Sequence, residues 1–299
     1  MRHRVTVVTP SFNQGRFLSR TVHSVLDQQF EGELEYLVLD GGSLDETVSI
    51  LQGFGERIDW ISKPDGGQAD AVNQGLGRAT GDIVGWLNSD DVYYPDAIAH
   101  VCAAFDAHPD ADLVYGNANH IDEQDRILAP YPVEDWNFDR LVYTCYLCQP
   151  AVFFRKSVVE RFGGLDETLR YAMDYEYWLR LAAKGAKFLR VPGTLAGSRL
   201  YATNKTLGFP RAVHCEINDV LHRHFHRVPD RWLANYAHAV LDERGVPLSD
   251  TPRFLLMVSA VALGASLRWN HRISFQMVRS VGGWTSGAFH AWCREAFGA

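Results

Sequence analysis

Ile83-Val84-Gly85-Trp86-Leu87-Asn88-Ser89-Asp90-Asp91 decides the reading of the fold: an apolar run with the character of a buried strand stops abruptly at two adjacent carboxylates. Like charges a few ångströms apart resist joint ionisation unless a cation or ligand shares their charge. Such a strand end reads as a metal-diphosphate site.

Upstream, the same plan recurs three times. Residues 5–10 form an apolar strand closed by Pro10-Ser11-Phe12-Asn13, and Phe17, Val22, Val25 and Leu26 follow at helical spacing. Tyr36-Leu37-Val38-Leu39-Asp40 is a second strand ending in an acid. The turn Gly41-Gly42-Ser43 leads to a helix from about Asp45, with Ser43 and Glu46 in capping-box spacing. Residues 58–61 make a short strand before Pro64-Asp65-Gly66-Gly67, after which Ala69, Val72, Leu76 and Ala79 mark a helix that stops at Gly81. Strands alternating with helices, each losing apolar character at its C-terminal end, predict a mostly parallel sheet with a ligand site across those ends. Asp40, Asp65 and Asp90 would project there.

Downstream, a helix is expected from Pro95 to His108 and a strand over 112–116, followed to about Pro132 by short antiparallel strands and turns, which makes the sheet mixed. Residues 149–155 read as another buried strand with a polar entrance. Asp174, Tyr177, Trp178 and Leu181 fall at i, i+3, i+4 and i+7 of a helix that Asp174 opens. The helix dipole favours a charged carboxylate at that end, which suits a general base. After Arg199 the pattern changes to long helical stretches over 210–226, 230–244, 253–269 and 274–297. The predicted architecture is an α/β fold in which a mixed, mostly parallel sheet is flanked by helices, its first half Rossmann-like, over residues 1–206. A helical C-terminal extension follows over 207–299.

Composition narrows the class. At 299 residues, 46% hydrophobic and 22% charged, the chain can bury a large core. No apolar run at the N-terminus has signal-peptide length, and five scattered cysteines (Cys102, Cys145, Cys148, Cys215, Cys293) fit reduced thiols, so a cytoplasmic location is expected. Cys145 and Cys148 lack a second pair to complete a zinc site, which favours core cysteines. Net charge is −7, but from Arg199 onward 12 Lys+Arg face 7 Asp+Glu, leaving a strongly acidic body and a basic tail that holds seven of the 12 histidines. The acidic body argues against nucleic acid and suits a metal-dependent site. Residues 254–267 are nearly uncharged but too short to span a bilayer, which takes about 20 apolar residues. A buried bundle helix or an interfacial contact, with a membrane or a second copy in a homo-oligomer, would cover them; basic and aromatic residues flank the run over 253–272.

Five blocks in order resemble the GT-A-fold family 2 glycosyltransferases over about residues 4–206: residues 7–13; Leu39-Asp40-Gly41-Gly42-Ser43 with Asp45; Asn73 and Gly75 with Ala79, Gly81 and Asp82; residues 87–91; and residues 174–180. The resemblance implies a nucleotide-diphosphate sugar donor. Thr9, Pro10, Ser11 and Asn13 would line the nucleoside, Asp40 would accept from the base, and Asp65 and Asn73 would join the pocket. Asn88, Ser89, Asp90 and Asp91 align with the family's D-x-D motif, with Asn88 in the place of the first acid. Asp90 would then be the first ligand of Mn²⁺ or Mg²⁺, assisted by Asp91, so that the ion neutralises the departing diphosphate. The family's Glu-Asp pair appears as Met173-Asp174, with Asp174 the base that deprotonates an acceptor hydroxyl for inverting displacement. Gln149 would stand on the acceptor side and Arg199 beside phosphate, and Tyr201 replaces a histidine that can add a metal ligand.

The family's usual products imply bacterial surface polysaccharide, a glycan or lipid-linked acceptor, and docking at the inner membrane face. A sugar nucleotidylyltransferase would want a Gly-rich loop with Arg and Lys after the first strand, and a dinucleotide-binding protein G-x-G-x-x-G; neither is present. A catalytically inactive relative that binds nucleotide sugars or acts as a scaffold is the alternative that Asn88, Met173 and Tyr201 keep open.

Overall fold

The central strand β1, His3–Ser11, is buried along its length apart from Arg4. It exists because Val5, Val7 and Val8 face two neighbours at once; each fully buried valine of this kind contributes about 1.5–3 kcal/mol. The structure is a computed structural model and describes residues 2–247 and 251–297. After β1 come α1 (Gly15–Leu26), β2 (Gly32–Asp40), α2 (Thr47–Phe54), β3 (Asp59–Ser62), α3 (Gln68–Arg78), β4 (Ile83–Trp86), β5 (Val92–Tyr93) and α4 (Ala97–Ala107). Next are β6 (Leu113–Ile121), β7 (Ile127–Pro130), α5 (Phe138–Tyr143), β8 (Val152–Arg155), α6 (Lys156–Phe162), α7 (Met173–Ala183) and β9 (Phe188–Arg199). The helices α8 (Lys205–Gly208), α9 (Pro210–Phe225), α10 (Asp230–Glu243), α11 (Thr251–Asn270) and α12 (Phe275–Phe297) complete the described chain.

Two compact units result: Met1–Leu141 with Cys145–Ala202, and Val142–Thr144 with Thr203–Ala299. In the first, strands run in the order β3-β2-β1-β4-β8-β6-β9-β5, with β7 hydrogen-bonded to β6. The half from β3 to β4 is parallel, as expected of strand-helix alternation. Beyond β4 the pairs β4–β8, β8–β6 and β9–β5 are antiparallel, and β6–β9 is parallel. Helix α3 lies so close to the sheet that a Cβ on Gly75 would stand 2.3 Å from a Val8 methyl, and this contact requires glycine there.

Several local expectations need correcting. The capping box of Ser43 and Glu46 does not form. Ser43 donates its hydroxyl to Asp40 Oδ1 at 2.5 Å, because a charged acceptor outcompetes a helix-end amide, and α2 begins at Thr47. Strand β6 runs on through Asn117 and Asn119 instead of breaking at Gly116, held by β9 on one side. Residues Gln149–Ala151 form a 3₁₀ turn rather than strand. The pattern gave no sign of β9, which contains Pro192, Gly193 and Gly197 and pairs with β6 through register shifts.

In the second unit α9, α10, α11 and α12 each contact the next. Phe254, Val258, Ala262, Ala265 and Trp269 of α11 are buried while Leu256 and Leu267 are about half exposed, so the uncharged run is a one-sided bundle helix. No described helix is long and apolar enough to cross a membrane.

Candidate active site

Strand β4 delivers the acidic loop, and long-range partners hold it. Leu87 N–H donates to Val8 O at 3.0 Å, continuing the β1 pairing past the end of β4. Below the loop, the Thr21 hydroxyl lies 2.9 Å from Ser89 O and 2.8 Å from Asp91 O, tying both carbonyls to α1. The Asn88 amide is a junction: its oxygen accepts from Gln68 Nε2 at 2.7 Å and Trp86 Nε1 at 2.9 Å, and its nitrogen donates to Gln149 Oε1 at 2.8 Å. Gln149 Nε2 in turn donates to Trp86 O at 2.5 Å, which fixes the orientation of its oxygen. An ionised aspartate at position 88 would have nothing to donate to that oxygen, which explains the amide physically.

Asp91 is buried and accepts the Arg199 backbone N–H at 2.8 Å; burial first, and then the charge of Asp90, push its carboxyl well up. Asp90 is half-buried, and its Oδ2 accepts the Tyr201 hydroxyl at 2.7 Å. The Tyr201 oxygen accepts from Gln14 Nε2 at 3.0 Å, and its ring packs 5.1 Å from Phe17 and 4.6 Å from the Arg16 guanidinium. Burial, followed by the Asp90 charge, raises the phenol, so Tyr201 remains a neutral donor. At this position tyrosine supplies a hydrogen bond that orients the Asp90 carboxylate.

Arg199 does not stand on an open phosphate side. Its side chain is fully buried, donating from Nε to Asp90 O at 2.6 Å and from a terminal nitrogen to Asp122 O at 2.5 Å; it also pairs with Asp125 and lies over Phe17. It is a clamp under the acidic loop. Hard oxygen donors and a carboxyl destabilised by its charged neighbour fit a divalent cation at Asp90 and Asp91. No group of three or more His, Cys, Asp and Glu side chains that could hold a metal occurs among the described residues, so such an ion would take its remaining ligands from diphosphate or water.

At the ends of β1 and β2 the expected nucleoside residues divide into two groups. Ser11 Oγ is buried and has no hydrogen-bond partner among the described residues. Pro10 is buried beside it in β1. Thr9 is wholly buried and shares a 3.1 Å hydrogen bond with the Tyr36 hydroxyl, making it a core residue. Asn13 adopts φ 52° and accepts Leu44 N–H at 2.9 Å, which makes it a turn builder. The Asp40 carboxylate is occupied by its own turn, accepting Gly42 N–H, Ser43 N–H, the Ser43 hydroxyl and, at 2.6 Å, the Ser62 hydroxyl; the expected base contact has no support in this geometry.

Asp65 is the better placed acid. It takes one backbone bond, from Gly67 at 2.8 Å, and its carboxyl is raised by burial and by the charges of Asp70 and Asp40. A Cβ on Gly41 would sit 3.1 Å from its Oδ2 and 3.3 Å from the Phe12 ring, so Gly41 leaves a gap that Phe12 and Asp65 border. Phe12, 59% exposed at the end of β1, was not singled out by the sequence; its signal was an aromatic in a polar turn. Asn73 lies elsewhere. Its amide donates to Leu165 O at 3.0 Å and Glu167 Oε1 at 2.8 Å and accepts Leu165 N–H at 2.8 Å, stapling the 164–167 turn to α3.

Asp174 is the second residue of α7 and half-buried, with Oδ1 turned back onto the Tyr175 N–H at 2.7 Å. Glu176, two positions on, is buried against Arg180 at 2.8 Å, and Trp178 is core. Burial and then Asp174 raise the Cys145 thiol. The Cys148 thiol is raised by burial, then by Asp91, Cys145 and Asp174. Cys102, Cys145, Cys148 and Cys215 are free thiols, and the Cys293 side chain lies outside the described residues.

Residues 6–162 match the profile of the family described as glycosyl transferase family 2. An uncharacterized glycosyltransferase of Mycobacterium tuberculosis is 36% identical over 181 residues, 60% of this chain and 68% of the relative. A glycosyltransferase of PGL/p-HBAD biosynthesis from Mycobacterium bovis is 30% identical over 190 residues, 62% of this chain and 72% of the relative. Among solved structures, Staphylococcus aureus TarS 1–349 in complex with UDP-GlcNAc superposes with a TM-score of 0.64 at 15% identity, over 97% of this chain and 89% of that one. The mannosyltransferase PcManGT of Pyrobaculum calidifontis, in complex with GDP-Man and Mn²⁺, gives 0.60 at 17%, over 99% and 88%. At these identities the two structures bear on the fold, a GT-A-like sheet flanked by helices.

Proposed function

The chain belongs to glycosyl transferase family 2 and is a glycosyltransferase, and on that premise we propose that it moves a sugar from a nucleotide-diphosphate donor to a hydroxyl of a glycan or lipid-linked acceptor, with inversion and with Mn²⁺ or Mg²⁺. The observation that supports this reading is the acidic loop after β4, where Asp91 is buried beside Asp90 and the Tyr201 hydroxyl orients Asp90 Oδ2 at 2.7 Å. Asp90, backed by Asp91, would hold the cation, and the cation supplies charge neutralisation to the diphosphate as it departs. Ser11, Phe12 and Asp65 bind the nucleoside; the flat exposed Phe12 ring suits a base. Gln149 keeps Asn88 in place and so sets the loop. Asp174, at the N-terminus of α7, takes the proton from the acceptor hydroxyl as the oxygen attacks the anomeric carbon and the nucleoside diphosphate departs.

In this reading the catalytic domain extends to about residue 206. The helical segment 207–299 contributes a peripheral contact with an anionic membrane: Ile273, Phe275 and Val278 are exposed among the exposed basic residues Arg268, Arg272 and Arg279. Surface polysaccharide synthesis on the cytoplasmic face is the process that such an arrangement would serve. Binding to anionic vesicles should drop when Phe275 and Val278 are both changed to serine; unchanged binding in co-sedimentation defeats the membrane contact.

The catalytic test is Asp174→Asn. Donor hydrolysis or transfer with Mn²⁺ is expected to fall by about 10²–10⁴-fold, with nucleoside diphosphate affinity retained. Equal turnover by the variant removes the base assignment, and nucleotide-sugar binding without turnover in the parent protein would favour an inactive binding relative.

A further inference from the structure

In the helical unit a cleft of about 590 Å³ is lined by Pro210, His214, Asn235, His238, Asp242 and Phe254, with small apolar neighbours. Its volume is typical of a small-molecule site. Helical spacing generates its polar wall: Asn235, His238 and Asp242 fall at i, i+3 and i+7 of α10 and share a face. From α9, His214 begins a stripe that continues through Asn218 and His222 at i+4 and i+8.

That stripe is chemically unusual. His214 Nδ1, both amide atoms of the fully buried Asn218, and His222 Nδ1 are buried with no hydrogen-bond partner among the described residues. Orphaned polar atoms of this kind are costly, and native proteins keep few of them. Of these residues, His214 lines the cleft. Burial lowers the pKa of both His214 and His238, so the two imidazoles are neutral hydrogen-bonding groups at pH 7. No lysine or arginine is among the described lining residues, which disfavours a phosphate or nucleotide. The floor is apolar: Phe254 is buried, with the His238 ring 5.3 Å from its own.

Two neutral imidazoles, an amide and one carboxylate over an aromatic floor match a ligand that carries many hydroxyls, each both donor and acceptor, on one side and C–H groups on the other. We propose that this cleft binds an uncharged saccharide, namely the glycan part of the acceptor. Identification with the acceptor rests on the transfer reading above; saccharide binding itself does not.

The test is saturation-transfer difference NMR on the full chain without donor or metal, using the methyl glycosides of glucose, galactose, mannose, rhamnose and N-acetylglucosamine as probes. At least one should receive saturation. The double change Asn235→Ala with Asp242→Ala, at positions not buried in the core, should weaken its binding about tenfold or more. His238→Gln, which keeps a hydrogen-bonding side chain, should weaken it less, and Asp174→Asn should leave it unchanged. The cleft assignment is overturned if no glycoside binds, or if binding survives the double change. It is also overturned if binding is lost on Asp174→Asn, which would put the sugar in the catalytic site. Saccharide binding that depends on Asn235 and Asp242 in a protein with no transfer activity would support the cleft and count against the transfer reading.

Discussion

Changing Tyr201 to Phe removes one oxygen from a defined place. The ring packing on Phe17 and Arg16 is preserved, and what disappears is the 2.7 Å bond to Asp90 Oδ2 together with the 3.0 Å bond from Gln14. A hydrogen bond to a charged group contributes about 1.5–3 kcal/mol. Asp90 is only half-buried, so water replaces part of that contribution and the lower end applies, about 1.5 kcal/mol or roughly tenfold in an equilibrium constant. Two effects compete in cation binding. Losing the donor frees a carboxylate oxygen for the ion; losing its orientation has the magnitude seen for supporting residues around metals, about 10–100-fold. Orientation should win. Calorimetric titration of Mn²⁺ in the presence of saturating UDP or GDP is expected to give a Kd about tenfold weaker for Tyr201→Phe. Gln14→Ala, which spares the Asp90 bond, should cost less than about threefold. If Tyr201→Phe binds Mn²⁺ as tightly as the parent while Asp90→Asn does not bind, the tyrosine merely fills space and the reasoning fails.

The Arg199 clamp should reveal itself in stability: Arg199→Met leaves the Asp90 and Asp122 carbonyls without their donor, while the partly exposed Asp125 keeps Arg20 at 3.0 Å, and should cost about 1–3 kcal/mol in urea denaturation. A loss below about 1 kcal/mol would show that the buried fork contributes little. For pH, burial alone would raise Glu35, but hydrogen bonds from Thr6 and from the backbone and hydroxyl of Thr80, with the charge of Arg4, hold its carboxyl below the ordinary 4.5. A depressed acid stabilises the fold above its unfolded pKa, and that stabilisation disappears as pH falls through the lower folded value. The melting-temperature gap between the parent and Glu35→Gln should therefore be widest near neutral pH and shrink below pH 4.5; a gap that widens on acidification contradicts the assignment.

The parallel half of the sheet was legible because β1, β4 and the second half of β2 are buried and write apolar runs ending in turn residues, while β3, a partly exposed edge strand, showed through Trp60 and Ile61 before the Pro64 turn. The helices from Pro210 onward were legible because their spacing is local. By contrast, β9 was hidden: Pro192 and Gly193 break any alternation, and its place is fixed by pairing with β6, which no local pattern encodes. Of the candidate site, the positions of Asp65 and Asp90 were legible because each follows a strand end. The pattern was silent where a polar side chain had closer work. Asp40 serves its own turn and Asn73 ties down residues 165 and 167, bonds that a spacing rule cannot distinguish from ligand contacts. Asn88 and Tyr201 looked like losses of family acids and ligands; their partners Gln68, Gln149 and Gln14 supply the reason for each.

The acidic loop also has a position in time. Asp91 is held by a backbone N–H 108 positions downstream and Asp90 by a hydroxyl 111 positions downstream. During synthesis at about 5–20 residues per second, the loop emerges about 5–20 s before either partner. For that interval β1, β2 and β4 can already pair, but the two carboxylates are joined to the sheet without their fasteners, and closing a loop of that length is the slow, non-local kind of contact. The geometry of the acidic loop is thus among the last things the first unit acquires, so a chain cut short before β9 would keep the parallel half of its sheet and lack both fasteners.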